Sequence, residues 1–250
     1  MRTEYITSRQ NPLIQHVRKL LSSRSYRDEC GEFAADGVKL LEEAIHWQFE
    51  ITTLIETEDA VAMDVPNTVR RVVVPPDVML SVSPMKAPQG ALFICRKPLT
   101  NQLSNYQHAL VLDGLQDPGN VGTILRTADA MEIPVILTDD CADPFNPKTV
   151  RATMGALFRS TVCITPREQI IAYCKTKNIQ LTVTALTDRA KPLSREALNG
   201  FVVIGSEGNG ASDALLAAAD REIIIPMNPK CESLNAASAA AIVLWEMRKE

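Results

Sequence analysis

The chain has 250 residues, 46% of them hydrophobic and 22% charged, with a formal net charge of −4. These values exclude a disordered, collagen-like or coiled-coil chain and a general polyanion coat, and they leave room for one large or two modest domains. The longest apolar run, Ala236–Trp245, is half the roughly 20 residues that span a bilayer, and the N-terminus lacks the apolar core of a signal peptide, so a cytoplasmic location and no membrane partner are expected.

In chain order, Asn11 and Pro12 open a helical stretch in which Leu13, Val17, Leu20 and Leu21 recur at helical spacing. A short strand at Phe33–Ala35 precedes a second helix carrying Val38, Leu40, Leu41, Ala44 and Ile45. Strands follow at Ile51–Ile55, Arg71–Val74 and Ala91–Cys95, completing a small α/β unit over residues 1–96. Its first 27 residues hold Arg2, Arg9, Arg18, Lys19, Arg24 and Arg27 against Glu4 alone. Such a segment either contacts phosphate or forms a solvated helix face. Residues 97–106 are polar, lack an apolar period and read as a linker.

From residue 107 the rhythm becomes apolar strand, loop, helix. Strands are expected at Ala109–Asp113, Pro134–Leu137, Thr161–Ile164, Gln180–Ala185, Phe201–Ile204 and Glu222–Ile225, with helices starting near Asn120, Pro147, Pro166, Ala211 and Ser233. Continuous apolar strands alternating with helices predict a parallel sheet covered on both faces, with ligands beyond the carboxyl ends of the strands. The six cysteines have neither metal-finger nor redox-motif spacing and read as buried reduced thiols. With three scattered histidines and no HExxH, no metal is expected.

Three loops carry the chemistry. In the first, Asp117-Pro118-Gly119 makes a tight turn and Asn120 is a suitable N-cap. Gly122 and Arg126 are four apart on one helix face, so a ligand lying against the glycine could meet the arginine. The alternative is an Arg126–Asp129 pair. The second loop, Gly205-Ser-Glu-Gly-Asn-Gly210, is neither a dinucleotide fingerprint, a phosphate loop nor a hydrolase elbow. Glu207 would repel phosphate and suits a cationic or hydroxyl-bearing ligand. The third, residues 225–235, leads into a helix, Ala236–Lys249, which Ser233 can cap. That helix is apolar nearly all round and needs cover on both sides, from its own domain and a partner subunit.

Together, N-x-G-x-x-x-R-T-A at 120–128, I-G-S-E-G at 204–208 and I-P-M-x6-S-L-N at 225–235 resemble the ordered motifs of the SpoU (TrmH) RNA methyltransferases of the SPOUT superfamily. The resemblance covers residues 107–250. The stretch ITSRQNPLIQHVRKL…GEFAADGVKLLEEA is similar to the RNA-binding domain that often precedes the catalytic one. Two positions depart from the usual pattern: Asp36 stands in place of Glu, and Ala236-Ala237-Ser238-Ala239 in place of V-S-V-A.

The resemblance implies an α/β protein: a parallel-sheet SPOUT catalytic domain with a C-terminal trefoil knot, preceded by a small α/β RNA-binding domain. It implies a homodimer that transfers a methyl group from S-adenosyl-L-methionine to a ribose 2′-hydroxyl of structured RNA, 23S ribosomal RNA first and transfer RNA second. By motif position the cofactor role falls to Thr184, Ala185, Gly205, Glu207, Gly208, Ile225, Met227, Ser233 and Leu234. The catalytic role falls to Arg126, Asn120, Glu207, Ser233 and Asn235, and RNA contacts to Arg9, Arg18, Lys19, Arg24, Arg27 and Arg126. The family's motif-one arginine has been given the proton-abstracting role. A guanidinium is a donor without a free lone pair, which argues instead for Arg126 as a clamp on phosphate and on the developing oxygen charge. Gly205→Val is expected to block the cofactor site while leaving the protein folded. The competing function is a non-catalytic RNA-binding factor on the same fold. A nucleotide-dependent dehydrogenase lacks its glycine fingerprint.

Overall fold

The computed structural model describes residues 3–60, 63–98, 103, 105–193 and 198–248. Residues 99–102 and 104 of the expected linker lie outside these. In chain order the first elements are β1 (Glu4–Tyr5), α1 (Pro12–Ser22), α2 (Arg24–Cys30), β2 (Glu32–Asp36), α3 (Val38–His46), β3 (Ile51–Glu56), β4 (Arg70–Val73), α4 (Pro76–Val82) and β5 (Ala91–Arg96). There follow β6 (Ala109–Asp113), α5 (Pro118–Ala130), β7 (Val135–Leu137), α6 (Pro147–Ala152), a 3-10 turn (Ala156–Phe158), β8 (Val162–Ile164) and α7 (Arg167–Lys177). The chain ends with β9 (Leu181–Thr184), β10 (Lys191–Pro192), β11 (Phe201–Gly205), α8 (Asp213–Ala218), β12 (Arg221–Ile224) and α9 (Ala236–Met247). These form two compact units, Met1–Pro98 with Asp143–Arg159, and Leu99–Ala142 with Ser160–Glu250.

The first unit is a five-stranded sheet in the order β1-β4-β3-β5-β2. Strand β5 runs antiparallel to both its neighbours, while β1, β4 and β3 are parallel. Helix α1 starts where Asn11 accepts from the Leu13 N–H at 2.9 Å and Pro12 fills a position with no intrahelical N–H to lose. Its stripe of Leu13, Ile14, Val17 and Leu20 joins Ile55, Val72, Leu92 and Ile94 in one core cluster. By strand alternation Phe33 and Phe93 face the other way. Phe33 meets Phe145 at 5.0 Å and Phe49 at 5.9 Å between ring centroids, and Phe158 packs on Phe49 at 5.2 Å. Residues 143–159 therefore supply two aromatic side chains to this unit. Elements β1, α2 and α4 are additional to the expected ones. The first is two residues long, and α2 (RSYRDEC) has no apolar period.

The second unit is a seven-stranded sheet, β10-β12-β9-β11-β6-β7-β8, parallel throughout. Every residue of the interior strand β6 is buried, as expected for a run of Ala, Leu, Val and Leu covered on both faces. Strand β11 lies beside it, Gly205 opposite Asp113. Helices α5 and α9 pack against one another. Among the described residues no helix is long and apolar enough to cross a membrane. All six cysteines are free, but only four are buried: Cys30 is half-buried and Cys231 exposed, correcting the uniform expectation. Burial pushes the Cys163 thiol up to about 11 and the Cys174 thiol to about 12.

Candidate active site

A cavity of about 440 Å³ opens at the carboxyl ends of β9, β11 and β12, where a parallel sheet leaves room for a ligand. Its floor includes Thr184, Gly205 and Ile224, and its apolar walls include Ile204, Leu216, Leu234 and Ala239. Thr184, Ala185, Gly205, Glu207, Gly208, Ile225, Met227, Ser233 and Leu234, the nine positions singled out in the sequence, all line it. The volume lies within the roughly 300–1,000 Å³ of small-molecule sites. Among the described residues no group of His, Cys, Asp and Glu could hold a metal ion.

The glycine loop forms one wall. Ser206 and Gly210 exchange two backbone hydrogen bonds of 2.9 Å, and the Asn209 N–H donates to Ser206 Oγ at 3.3 Å. The loop thereby folds back over Gly205. A Cβ at Gly205 would lie 2.1 Å from the Ala211 nitrogen and 2.1 Å from the Gly210 carbonyl carbon. Gly205→Val is therefore not the clean block expected from the sequence, because it displaces backbone as well as ligand. Leu234→Asp is the better probe. Its side chain is half-buried on the cavity wall, and the change is expected to weaken cofactor binding about tenfold while leaving the sheet intact, as titration calorimetry would report.

At the rim, a side chain from the first turn of α5 is joined to two from loops. Asn120 Nδ2 donates to Glu207 Oε1, and Asn235 Nδ2 donates to Asn120 Oδ1 at 3.1 Å. Asn235 Oδ1 accepts from the Ala237 and Ser238 N–H groups at 3.0 and 3.3 Å. A carboxylate is thus connected through two oriented amides to the N-terminus of α9. Two helix starts differ from expectation, and both differences make this relay. Asp117, not Asn120, caps α5, accepting from the Asn120 N–H at 2.8 Å, which leaves the Asn120 amide available. Asn235, not Ser233, caps α9. Ser233 stays exposed on the cavity wall, its carbonyl accepting from the Cys231 thiol at 3.3 Å.

Arg126 stands apart. It is exposed on α5, does not line the cavity, and makes no ion pair among the described residues. The alternative pairing with Asp129 is not seen; that carboxylate accepts from Ser160 Oγ at 2.8 Å. Gly122 is buried, so the Gly122–Arg126 face is not the open ligand face expected.

In the basic segment of the first unit three cations are paired with carboxylates, Arg18 and Lys19 meet neutral groups, and Arg2 lies outside the described residues. Arg27 is 2% exposed and held by Asp143, with 2.7 Å from Nη2 to the carboxylate, so it cannot be the RNA contact assigned to it. Arg9 pairs with Asp77 at 2.7 Å and Arg24 with Asp28 at 3.9 Å. Arg18 donates to the Arg9 carbonyl and to Ser81 Oγ, and the Lys19 ammonium lies 5.2 Å from the Tyr26 ring centre.

A profile of the SpoU rRNA Methylase family matches residues 107–245, and one of the MRM3-like substrate binding domain matches residues 11–92. The chain is 30% identical to the 23S rRNA (guanosine(2553)-2′-O)-methyltransferase RlmP of Bacillus subtilis, over 97% of this chain and 98% of that one. Among solved structures, an AdoMet-bound rRNA methyltransferase from Sinorhizobium meliloti matches with a TM-score of 0.83 and 26% identity, covering 98% of this chain and 97% of that one. A TrmH-family structure from Porphyromonas gingivalis matches at 0.84 and 32%, covering 96% and 98%.

Proposed function

Because this chain belongs to the SpoU rRNA methylase family, we propose that it methylates a ribose 2′-hydroxyl of 23S ribosomal RNA. It is an S-adenosylmethionine-dependent RNA methyltransferase. The observation that carries the 23S reading is the 30% identity to RlmP over nearly the whole of both chains. The second and third motif loops line one cavity, and Asn120 of the first is bonded to Glu207 at its rim. The cavity suits the cofactor: apolar walls for an adenosine, backbone groups of a glycine loop for its polar edges, and an acidic rim for a sulfonium and an amine.

When bound, S-adenosylmethionine supplies an electrophilic methyl carbon on a sulfonium. The nine cavity residues would hold it, largely through backbone. Asn120 and Asn235 fix the Glu207 carboxylate at the rim, where a ribose hydroxyl would enter. The exposed Arg126 guanidinium offers fork-shaped donors to an RNA phosphate and to negative charge developing on the attacking oxygen. It has no lone pair to take a proton at neutral pH. The hydroxyl proton would pass to water as the ribose oxygen takes the methyl group and the methyl–sulfur bond breaks, so transfer rests on in-line positioning and charge stabilisation. The test is purified protein, labelled S-adenosylmethionine and unmodified ribosomal RNA. A 2′-O-methyl group removes the hydroxyl that attacks the backbone in alkali, so labelled, alkali-resistant dinucleotides are expected. Cofactor binding without transfer would favour an RNA-binding factor instead.

We assign RNA capture to residues 1–96, catalysis to residues 107–250, and the location to the cytoplasm; the C-terminal loops would carry the family's trefoil knot. Truncation is a poor test of this division, because removing the first unit's sheet would strip Phe33 and Phe49 from Phe145 and Phe158. Charge reversal is cleaner. Arg18→Glu with Lys19→Glu is expected to weaken RNA binding and to flatten its salt dependence by roughly 0.7–0.9 for each phosphate that is no longer neutralised. A solvated helix face would leave both unchanged.

We place the contact of the proposed dimer on helix α9. Helix α9 buries Ala236, Ala240, Val243, Leu244 and Met247, while Ile242 and Trp245 are 37% and 57% exposed. A second copy would cover that face. Light scattering is expected to give about twice the 27.5 kDa of one chain at micromolar concentration, and Trp245→Glu to halve it.

A further inference from the structure

The glycine loop separates two hollows. Ser206, Asn209, Gly210 and Ala211 line the 440 Å³ cavity on one side and a polar hollow of about 570 Å³ on the other. A wall with space behind it is not held by close packing, and its internal Ser206–Gly210 bonds set its shape but not its tilt. Its tilt must come from its two ends.

Both ends meet Asp113. The backbone of Asp113 ends β6 opposite Gly205, where the loop begins. Its carboxylate, 1% exposed, uses one oxygen for each of two partners. Oδ2 accepts from the Ser212 N–H at 2.6 Å, where the loop finishes, and Oδ1 accepts from Arg167 Nε–H at 2.6 Å. A buried carboxylate without such partners would be strongly destabilising. Arg167 is held in turn, since its Nη2 donates to Asp140 Oδ2 at 2.7 Å and Thr138 Oγ1 donates to Asp140 Oδ1 at 2.6 Å. Burial works upward on the Asp140 carboxyl, but the bonds from Thr138 and Arg167 outweigh it and hold the group below its usual range.

We propose that Asp113 is a positioning residue for the cofactor site, clamping both ends of the glycine loop, with Arg167 as the counter-charge that keeps its carboxylate in place. This rests on the S-adenosylmethionine reading of the cavity. Glycine-rich backbone loses much freedom when ordered, so a clamp that orders it before the cofactor arrives improves affinity without touching the cofactor.

Arg167→Met, Arg167→Lys and Asp113→Asn in the full chain test this. Arg167→Met is expected to weaken S-adenosylmethionine binding about tenfold by calorimetry, the scale of a lost charge-assisted hydrogen bond. Its KM for the cofactor should rise while its KM for RNA stays within about twofold, a split that general destabilisation would not give. In ligand-free protein the amide hydrogens of residues 206–212 should exchange faster. Arg167→Lys, which keeps the charge, should recover most of the affinity. Cofactor affinity within twofold of wild type in Arg167→Met, or unchanged exchange in that loop, would overturn the clamp. Should Asp113→Asn not fold, the two Arg167 variants decide alone. A wild-type protein that fails to bind S-adenosylmethionine sinks the cofactor reading, and the exchange measurement still judges the clamp.

Discussion

Asn120→Asp is expected to lower methyl transfer by about a hundredfold or more, on the scale of removing one preorganised donor from an active site. The substitution is nearly isosteric and leaves the Asp117 cap of α5 untouched. It replaces the amide that donates to Glu207 with a second carboxylate facing the first. Two like charges in contact either separate, opening the rim, or share a proton at neutral pH. The first outcome moves Glu207 from where Asn120 holds it; the second keeps the contact but replaces the amide donor with a proton shared between two carboxyls. Cofactor affinity should fall far less than the rate, because most of the cavity wall is backbone and apolar side chain. Asn235 supplies the control. Asn235→Asp can still accept from the Ala237 and Ser238 N–H groups, and a carboxylate suits a helix N-terminus, but it cannot donate to Asn120. It should lose transfer with stability preserved. Asn235→Ala should lose transfer and also about 1 kcal/mol of stability with the cap. Single-turnover assays with either Asp variant within threefold of wild type would remove the relay from the mechanism.

Arg27→Met should destabilise the first unit by about 3–5 kcal/mol, the cost of leaving a buried partner charge uncompensated. Arg27 reaches Asp143 Oδ2 with Nε at 2.7 Å and Nη2 at 2.7 Å, and donates Nη1 to the Leu20 carbonyl at 2.6 Å. The other Asp143 oxygen accepts from the Phe145 N–H at 2.9 Å. Without the guanidinium, a carboxylate that is 6% exposed keeps one backbone donor and no counter-charge. Phe145 and Phe158 sit on either side of this segment's fold against Phe33 and Phe49, so loosening it loosens the aromatic core. Arg27→Met with Asp143→Asn should recover most of the loss, since Asn carries no charge and keeps an acceptor for the Phe145 N–H. Urea unfolding followed by near-ultraviolet circular dichroism separates the two outcomes. A change below about 1 kcal/mol would mean that the pair is as weak as a surface one, and would reopen Arg27 to a role in RNA binding.

The amino-acid sequence alone determines the alternation of buried strands and helices, the parallel sheet, and the loops at its carboxyl ends. Apolar periodicity and glycine are local signals, and strand direction follows from the helices between strands. The positions from Thr184 to Leu234 that line the cavity are legible only through the resemblance to the SpoU family, not from local signals. The ends of the helices were less so. Asp117 and Asn120 are both good caps three residues apart, and only the register of α5 chooses Asp117 and frees Asn120. The relay itself joins residues 87 and 115 positions apart, and the Arg27–Asp143 pair joins residues 116 apart. A lone Asn, Arg or Asp announces no partner at such separations. Arg27 read as part of a basic segment because charge is counted along the chain, whereas its neutralising carboxylate arrives through the tertiary fold. Residues 143–159 likewise read as part of the second half, and their side chains join the first because Phe33 and Phe49 offer the apolar surface that Phe145 and Phe158 would otherwise expose to water.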